Sequence, residues 1–328
     1  MTGNVLITGS AGYIGQRLAQ RLAGAGVEVV GLDLVGGGGE VSRGFAADVS
    51  VPGSWFGAFA GVDTVFHLAG KAHALSENLQ DEAGYFRINT DGTRHVLEAA
   101  KINGVRRFVL FSSVKAMSRD DAEPNIGISP SRAWDESDRI EPDTPYGRSK
   151  LAAEDLVLHG GHVPEPAVLR LCMVYGAGAK GNLQQMLSAV VNRRFPPLPD
   201  VPNRRSMVHV EDVVEAAVLA SSRPEAVGGV FIVSDGRAYS THEILDLMHR
   251  ALGRTMPCGA VPVGVFKALG RVGDLVGRLR GRRFVFDSDA LPKLLGSAWY
   301  SSEKMQDQLG FHPQWDLERA LPSMIAAL

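Results

Sequence analysis

Cysteine is nearly absent from this chain of 328 residues, which has only Cys172 and Cys258. They can form one pair at most, and they fall in a strand-like run and a loop. A disulfide framework is therefore excluded, and two free thiols in a reducing compartment are expected. Charge of one sign is also lacking. Lys and Arg number 34 against 36 Asp and Glu, a formal net charge of −2, so no global field draws the chain to nucleic acid or to an anionic membrane. An anionic ligand must be held by a local arrangement. Long apolar runs are missing too, because Gly, Arg or Asp interrupts each one well short of the ~20 residues that a bilayer span needs. No basic segment or small-residue cleavage site precedes Val5-Leu6-Ile7, which predicts no secretion signal and a cytoplasmic protein. No His/Cys cluster has metal-ligand spacing, so no metal is expected.

Apolar residues are plentiful. They make up 45% of the chain, enough for one large α/β unit or two modest domains and too many for a disordered chain. Short β-branched runs alternate with helical patterns over residues 4–8, 14–25 and 28–33, the mark of a parallel sheet with crossover helices. Further strands are predicted at 44–49, 64–69, 107–113 and 167–174, with helices over 82–103 and 146–159. These pieces fit an α/β, doubly wound parallel sheet of the Rossmann type. After Tyr175 the texture changes to Gly176, Gly178 and Gly181, a helical stretch to Arg194 and the run Phe195-Pro196-Pro197-Leu198-Pro199. The division predicted is a dinucleotide-binding domain over 1–175, joined by parts of 206–236, with 176–205 and 237–328 forming a smaller, mostly helical C-terminal substrate lobe.

The turn Thr8-Gly9-Ser10-Ala11-Gly12-Tyr13-Ile14-Gly15 lies between the first strand and the first helix. Glycines at this spacing let the backbone turn sharply and approach a pyrophosphate, whose charge meets the helix N-terminus. Such a turn can also be an ordinary strand-to-helix connection; its place on the first strand of a βαβ unit favours the dinucleotide. Asp33 ends the second strand, where its carboxylate would accept hydrogen bonds from adenosine ribose hydroxyls and repel a 2′-phosphate, so NAD is preferred to NADP. Asp33 as a loop cap is the alternative. Asp48 and Val49, at the end of the third strand, are placed at the adenine edge or are a plain strand end.

Tyr146-Gly147-Arg148-Ser149-Lys150 follows Thr144-Pro145, which suits a helix cap and first turn, so Tyr146 and Lys150 share one helical face. An adjacent ammonium and an oxidised nicotinamide would favour the ionised phenol, making Lys150 the activator of Tyr146 and a partner of the nicotinamide ribose. A surface Tyr and Lys would show the same spacing. The strand Phe108-Val109-Leu110-Phe111-Ser112-Ser113 separates the two cases, because it brings hydroxyls to the sheet's carboxyl edge, where doubly wound folds bind ligands.

Together the Gly9/Gly12/Gly15 turn, Asp33, His67-Leu68-Ala69-Gly70, Asn89 with Gly92-Thr93, Ser113, and Tyr146 with Lys150 resemble the extended short-chain dehydrogenase/reductases, over nearly the whole chain. The resemblance is closest to the nucleotide-sugar 4-epimerases and the related 4-keto reductases of surface-polysaccharide pathways. It implies a catalytic set of Ser113, Tyr146 and Lys150, with Ser113 rather than Ser112 at the catalytic position. It also implies NAD held by Gly9, Gly12, Tyr13, Ile14, Asp33, Asp48, Val49, Leu68, Ala69, Gly70 and Lys71, with Tyr146 and Lys150. Lys71 is placed near the pyrophosphate or is a solvated lysine. His67 packs at a strand end without chemistry, and Asn89 bonds backbone locally. At the substrate end the resemblance assigns Asn182 and Leu183 to the diphosphate and uracil and Arg205 to the nucleotide phosphates, a role that suits its planar fork. Tyr175 either stacks on the substrate or packs in the core. A homodimer through 82–103 and 146–159 is implied as well. Two departures stand out: Met117-Ser118 replaces the Tyr-Gly that follows the serine strand in many epimerases, and no Arg-Pro-Gly-Asp segment is found in the C-terminal region. Val114-Lys115 also stands where 4,6-dehydratase relatives carry an acidic pair, which argues against dehydration.

The expected reaction is 4-epimerisation of a UDP-hexose or UDP-N-acetylhexosamine through a transient 4-keto sugar. The alternative is an NAD(P)H-dependent reductase of a UDP-4-keto-6-deoxy-N-acetylhexosamine, and the remote one a non-catalytic NAD-binding regulator on the same fold.

Overall fold

In β1 (Asn4–Thr8), Val5 and Ile7 enter one apolar cluster and Leu6 another. Side chains alternate along a strand, so at β1 neither face of the sheet meets water and helices must cover both. A computed structural model describes residues 3–71, 81–117, 131–138, 140–256 and 294–328, with scattered positions between 262 and 274. The further strands are β2 (Val29–Asp33), β3 (Arg43–Ala46), β4 (Val62–His67), β5 (Arg107–Ser113), β6 (Glu165–Leu171), β7 (Met173–Tyr175), β8 (Arg205–His209), β9 (Val230–Val233) and β10 (Ala238–Tyr239). Seven of them form one sheet in the order β3-β2-β1-β4-β5-β6-β9, every pairing parallel. The chain starts in the middle, winds out to β3, and crosses back to β4. The carboxyl ends of β1 and β4 therefore flank the reversal where open α/β sheets bind ligands.

On one face α1 (Tyr13–Ala23) contributes Leu18, Ala19 and Leu22, and α6 (Val210–Ser222) contributes Val213, Val214 and Ala217, to the cluster around Val5 and Ile7. On the other, α3 (Gly92–Ile102) and α4 (Pro145–His159) cover Leu6, Phe108 and Leu110 with Val96, Leu97, Ala153 and Val157. Burying each large aliphatic or aromatic side chain stabilises the fold by roughly 1.5–3 kcal/mol. A third cluster joins β7 to α5 (Asn182–Val191), α7 (Thr241–Ala251) and, beyond α8 (Glu303–Leu309), α9 (Leu317–Ala326), through Tyr175, Leu187, Met248 and Leu321.

Three sequence expectations change in detail. The helix expected over 82–103 begins as α2 (Glu82–Tyr85), passes through a π-helical turn (Phe86–Asp91) and continues as α3. A π turn holds one residue more than an α turn and commonly marks a functional position; here it carries Asn89 into the interior. The strand expected over 167–174 breaks at Cys172. The Cys172 N–H still bonds Val233 O of β9 at 3.1 Å, but the next three residues leave the main sheet and pair with Met207–His209 in a three-stranded sheet of order β10-β8-β7. An apolar run looks the same on both sides of such a change of partner. The C-terminal part, expected to be mostly helical, supplies β10 to that small sheet, antiparallel to β8. Cys172 is a buried free thiol, and Cys258 and Ser118 lie outside the described residues. No helix among the described residues is long and apolar enough to cross a membrane.

Candidate active site

The turn between β1 and α1 is shaped by two glycines. Gly9 has φ +72°, and a Cβ there would meet Ala69 N at 2.8 Å; a Cβ at Gly15 would meet Gly9 O at 2.2 Å. Both are excluded by sterics, so the turn can press against the exit of β4 and against its own helix. Gly12 is different. It is exposed, and a Cβ there would touch only Gly9 O, at 3.1 Å. It is the N-cap of α1, with no side-chain cap and no acidic residue in the first turn. The Tyr13–Ile14 end of the helix is thus left with bare positive character, the requirement for a pyrophosphate.

Asp33 braces this turn: Oδ2 accepts Ala11 N–H at 3.0 Å and Oδ1 accepts Val35 N–H at 3.4 Å. Each oxygen keeps a further lone pair for a ribose hydroxyl. Asp48 is committed locally, since Oδ1 accepts Ser50 N–H at 2.8 Å and bonds from Ser50 hold its carboxyl below the usual range. Val49 is buried, and its carbonyl meets His95 Nδ1 at 3.0 Å. At the exit of β4, Leu68 N–H donates to Thr8 O and Ala69 N–H to Thr8 Oγ1, both at 3.1 Å. Gly70 lies so close to α4 that a Cβ would stand 3.4 Å from Lys150 Nζ and 2.9 Å from Asn89 Oδ1. Lys71 has a partner of its own within the protein. Its ammonium pairs with the Asp81 carboxylate and sits 4.8 Å over the Tyr85 ring, so within the protein its charge is spent on the α2 end and not on the glycine turn.

Thr144 caps α4 by accepting Gly147 N–H at 3.1 Å, with Pro145 in the first turn. That cap fixes Tyr146 and Lys150 one turn apart, both buried against the end of β5. The Tyr146 hydroxyl lies close enough to the Ser113 side chain for that hydroxyl to draw its pKa down, and its ring meets Tyr85 edge-on at 5.9 Å between centroids. Lys150 Nζ donates to Phe111 O at 2.9 Å. Ser113, Tyr146 and Lys150 therefore converge at one point on the sheet's carboxyl edge.

The electrostatics of the set are dominated by burial. Burial pushes the Tyr146 phenol up to about 12, with the Ser113 hydrogen bond working against it, while burial pulls Lys150 down to about 8. Among the protein's own groups, desolvation outweighs any help the ammonium gives the phenolate.

His67 is pulled down to about 3 by burial and by the Lys150 charge, and is neutral. Its network assigns the tautomer: Thr93 donates to Asn89 O at 2.6 Å, so it accepts from His67 Nε2 at 2.9 Å, leaving Nδ1 to accept from Thr8 at 2.7 Å. Both nitrogens are used structurally. Asn89 reaches further than a local backbone bond. Its Oδ1 accepts Lys71 N–H at 2.7 Å and its Nδ2 donates to Ser149 Oγ at 2.9 Å, tying the β4 exit to α4.

At the far end, Asn182 is exposed on the first turn of α5, and Leu183 lines a cavity of about 40 Å³ with Tyr175, Lys180 and Gln184. Arg205 is half-buried on β8, and burial pulls its guanidinium down to about 10. Tyr175 is fully buried, its hydroxyl donating to Asp235 at 3.2 Å; it is a core residue. Two clusters went unread in the sequence, Asp235 with Tyr175 and Tyr239, and Ser112 with Glu154 and Arg170. The second had a signal available, since Glu154 follows Lys150 at helical spacing and Ser112 adjoins Ser113.

A sheet wound both ways from β1, a glycine turn at an uncapped helix and a serine–tyrosine–lysine set at the carboxyl edge define a dinucleotide-dependent enzyme of the short-chain dehydrogenase/reductase type. Residues 5–234 match the NAD dependent epimerase/dehydratase family; the chain belongs to that family, and NAD is its cofactor. The UDP-glucose 4-epimerase of Vibrio cholerae is 27% identical over 97% of this chain and 93% of that protein. The dTDP-glucose 4,6-dehydratase of Streptomyces griseus is 28% identical over 99% of this chain and 94% of its own. Among solved structures, MoeE5 in complex with UDP-glucuronic acid and NAD is 26% identical with a TM-score of 0.75, covering 99% of this chain and 98% of that one. The Gly12 turn, the uncapped start of α1 and the free lone pairs of Asp33 fit NAD.

Proposed function

We propose that this enzyme interconverts the C4 epimers of a UDP-linked hexose or N-acetylhexosamine through a 4-keto sugar. The observation that carries the proposal is the placing of Tyr146 and Ser113 together with the buried Lys150 at the carboxyl edge, where Gly70 lies against the lysine. The cofactor supplies reversible hydride storage for C4. Tyr146 Oη moves the proton of the C4 hydroxyl, out and back. Ser113 Oγ holds the C4 oxygen during that transfer, and the Lys150 ammonium stabilises the phenolate. Arg205 and the Asn182–Leu183 start of α5 grip the nucleotide diphosphate while the keto sugar turns over its other face.

Residues 1–175 with parts of 206–236 form the cofactor side of this arrangement, 176–205 and 237–328 the substrate side, and α3 with α4 a homodimer face. Dehydration is disfavoured because the two residues after Ser113 are a buried valine and a lysine, which cannot supply the acid and base that expel water from the sugar.

The test is a panel of UDP-sugars incubated with and without added reduced cofactor, products resolved by chromatography and mass spectrometry. Epimer formation without added cofactor, lost in Tyr146→Phe, is expected. Unchanged product in Tyr146→Phe would overturn the chemistry, and one-to-one consumption of NADH or NADPH with a 4-keto substrate would assign a reductase instead.

A further inference from the structure

Behind the catalytic set lies a buried charge cluster that the chemistry above does not use. Ser112 precedes Ser113 on β5 and points to the α4 face, as Phe108 and Leu110 do. Its register partner on β6 is Arg170, so the two side chains stand side by side beneath the helix. Glu154 meets both, one turn beyond Lys150 on α4. Its carboxylate takes the Ser112 hydroxyl on Oε1 and a two-pronged contact from Arg170, Nε at 3.1 Å from Oε1 and Nη2 at 2.6 Å from Oε2. Arg170 Nη1 rests 3.8 Å from Met117 Sδ. Glu154 is 2% exposed and Arg170 3%. A desolvated ion pair is a weak source of stability, because well-packed apolar residues serve as well or better, so its place one turn from the active-site ammonium has to be accounted for otherwise.

We propose that Glu154, clamped by Arg170 and Ser112, is a positioning residue for Lys150, its carboxylate keeping the buried ammonium charged beneath the active site. Among the described residues, the surroundings of Lys150 leave this task to Glu154. From β4 it is faced by His67, which is neutral; from the π turn by the Asn89 amide; and from β5 by the Phe111 carbonyl; one turn earlier on its own helix stands Tyr146, a phenol backed by Tyr85 of α2. Arg170 on β6 is a cation, turned onto Glu154. Burial pulls the ammonium down to about 8, and the Glu154 charge is what opposes that pull. Arg170 and Ser112 hold the carboxylate in place where water cannot.

The inference rests on the proposed role of Lys150, so its test reads the lysine directly. Protein labelled with 13C at lysine Cε is titrated by NMR, with the Lys150 resonance assigned by Lys150→Met. The native resonance is expected to titrate near pH 8, as its burial requires, and that of Glu154→Gln about one pH unit lower. Glu154→Asp restores most of the native value, and Ser112→Ala, which removes a hydrogen bond but no charge, leaves it in place. Because Glu154→Gln strands the Arg170 guanidinium, Glu154→Gln/Arg170→Met is titrated beside it, and the same downward shift is expected in that neutral interior. In turnover, the high-pH limb of kcat/KM moves down by the same amount. A Lys150 titration unmoved in both glutamine variants overturns the proposal. A shifted titration in an enzyme that turns over no UDP-sugar supports it while overturning the reaction proposed above.

Discussion

Asp235 is a carboxylic acid whose burial sets the pH dependence of stability, and the consequence can be worked out in sign and size. It is 8% exposed. Its Oδ2 accepts the hydroxyls of Tyr175 at 3.2 Å and Tyr239 at 3.0 Å, its Oδ1 accepts Arg237 N–H at 3.0 Å, and Tyr239 in turn accepts Leu317 N–H at 3.2 Å. Those bonds favour the anion, but burial outweighs them and raises the carboxyl from 3.8 to about 6. A group whose folded pKa is raised binds more protons folded than unfolded across the interval between the two values, so stability falls as pH rises through that window. Two pH units at ~1.4 kcal/mol each give a loss of ~3 kcal/mol between about pH 4 and pH 6, and no further change from this group above it. Asp235→Asn removes the titration and leaves one amide N–H set against a donor, a mismatch of about 1 kcal/mol. The native protein should therefore exceed the variant in unfolding free energy near pH 4 and lose that lead by pH 7. Urea unfolding of both proteins at half-unit steps from pH 4 to pH 8 measures the difference and cancels every other titrating group. If the native advantage instead grows with pH, the hydrogen bonds win over burial and the reasoning about this cluster is wrong.

Gly15→Ala forces a methyl into the Gly9 carbonyl, so a destabilisation of about 1–3 kcal/mol and loss of NAD retention are expected, read by thermal unfolding and by bound nucleotide after gel filtration. Lys71→Met breaks a solvent-screened pair with Asp81 and should leave NAD affinity within about threefold by calorimetry; a tenfold loss would place the lysine at the pyrophosphate. Arg205→Lys removes a planar fork and should weaken UDP binding by about 1–2 kcal/mol, roughly tenfold, with NAD affinity unchanged; equal loss of both would mean that the substitution disturbs the small sheet.

What the chain discloses before folding is local. The β1–turn–α1 unit could be read because glycine spacing, an apolar run and a helical pattern lie within two dozen residues, and the Thr144–Pro145 start of α4 because cap and first-turn preferences need no distant partner. What escaped depends on a partner far along the chain. The break at Cys172 hides inside one apolar run, because a strand that changes sheets keeps its composition. Arg170 and Glu154 lie on different elements, and only the register of β5 against β6 sets the arginine beside Ser112.

The weight of burial at Tyr146 was illegible for a different reason. Proximity of Lys150 was visible as a helical spacing, but spacing says nothing about desolvation, and desolvation is the larger effect on both groups. A phenol held near 12 is protonated at neutral pH, so the protein by itself is set to give a proton to a C4 carbonyl oxygen. Taking one from a C4 hydroxyl needs positive charge beside the ring. Lys150 is the protein's own source of it, and at about 8 that source is only partly secure in alkaline buffer. The proposed reaction, running both ways at C4, would need both halves available. The buried Glu154–Arg170 pair serves that need: it holds the lysine charged with a group that never touches the substrate, so the hydroxyls facing the sugar are left to the proton transfer alone.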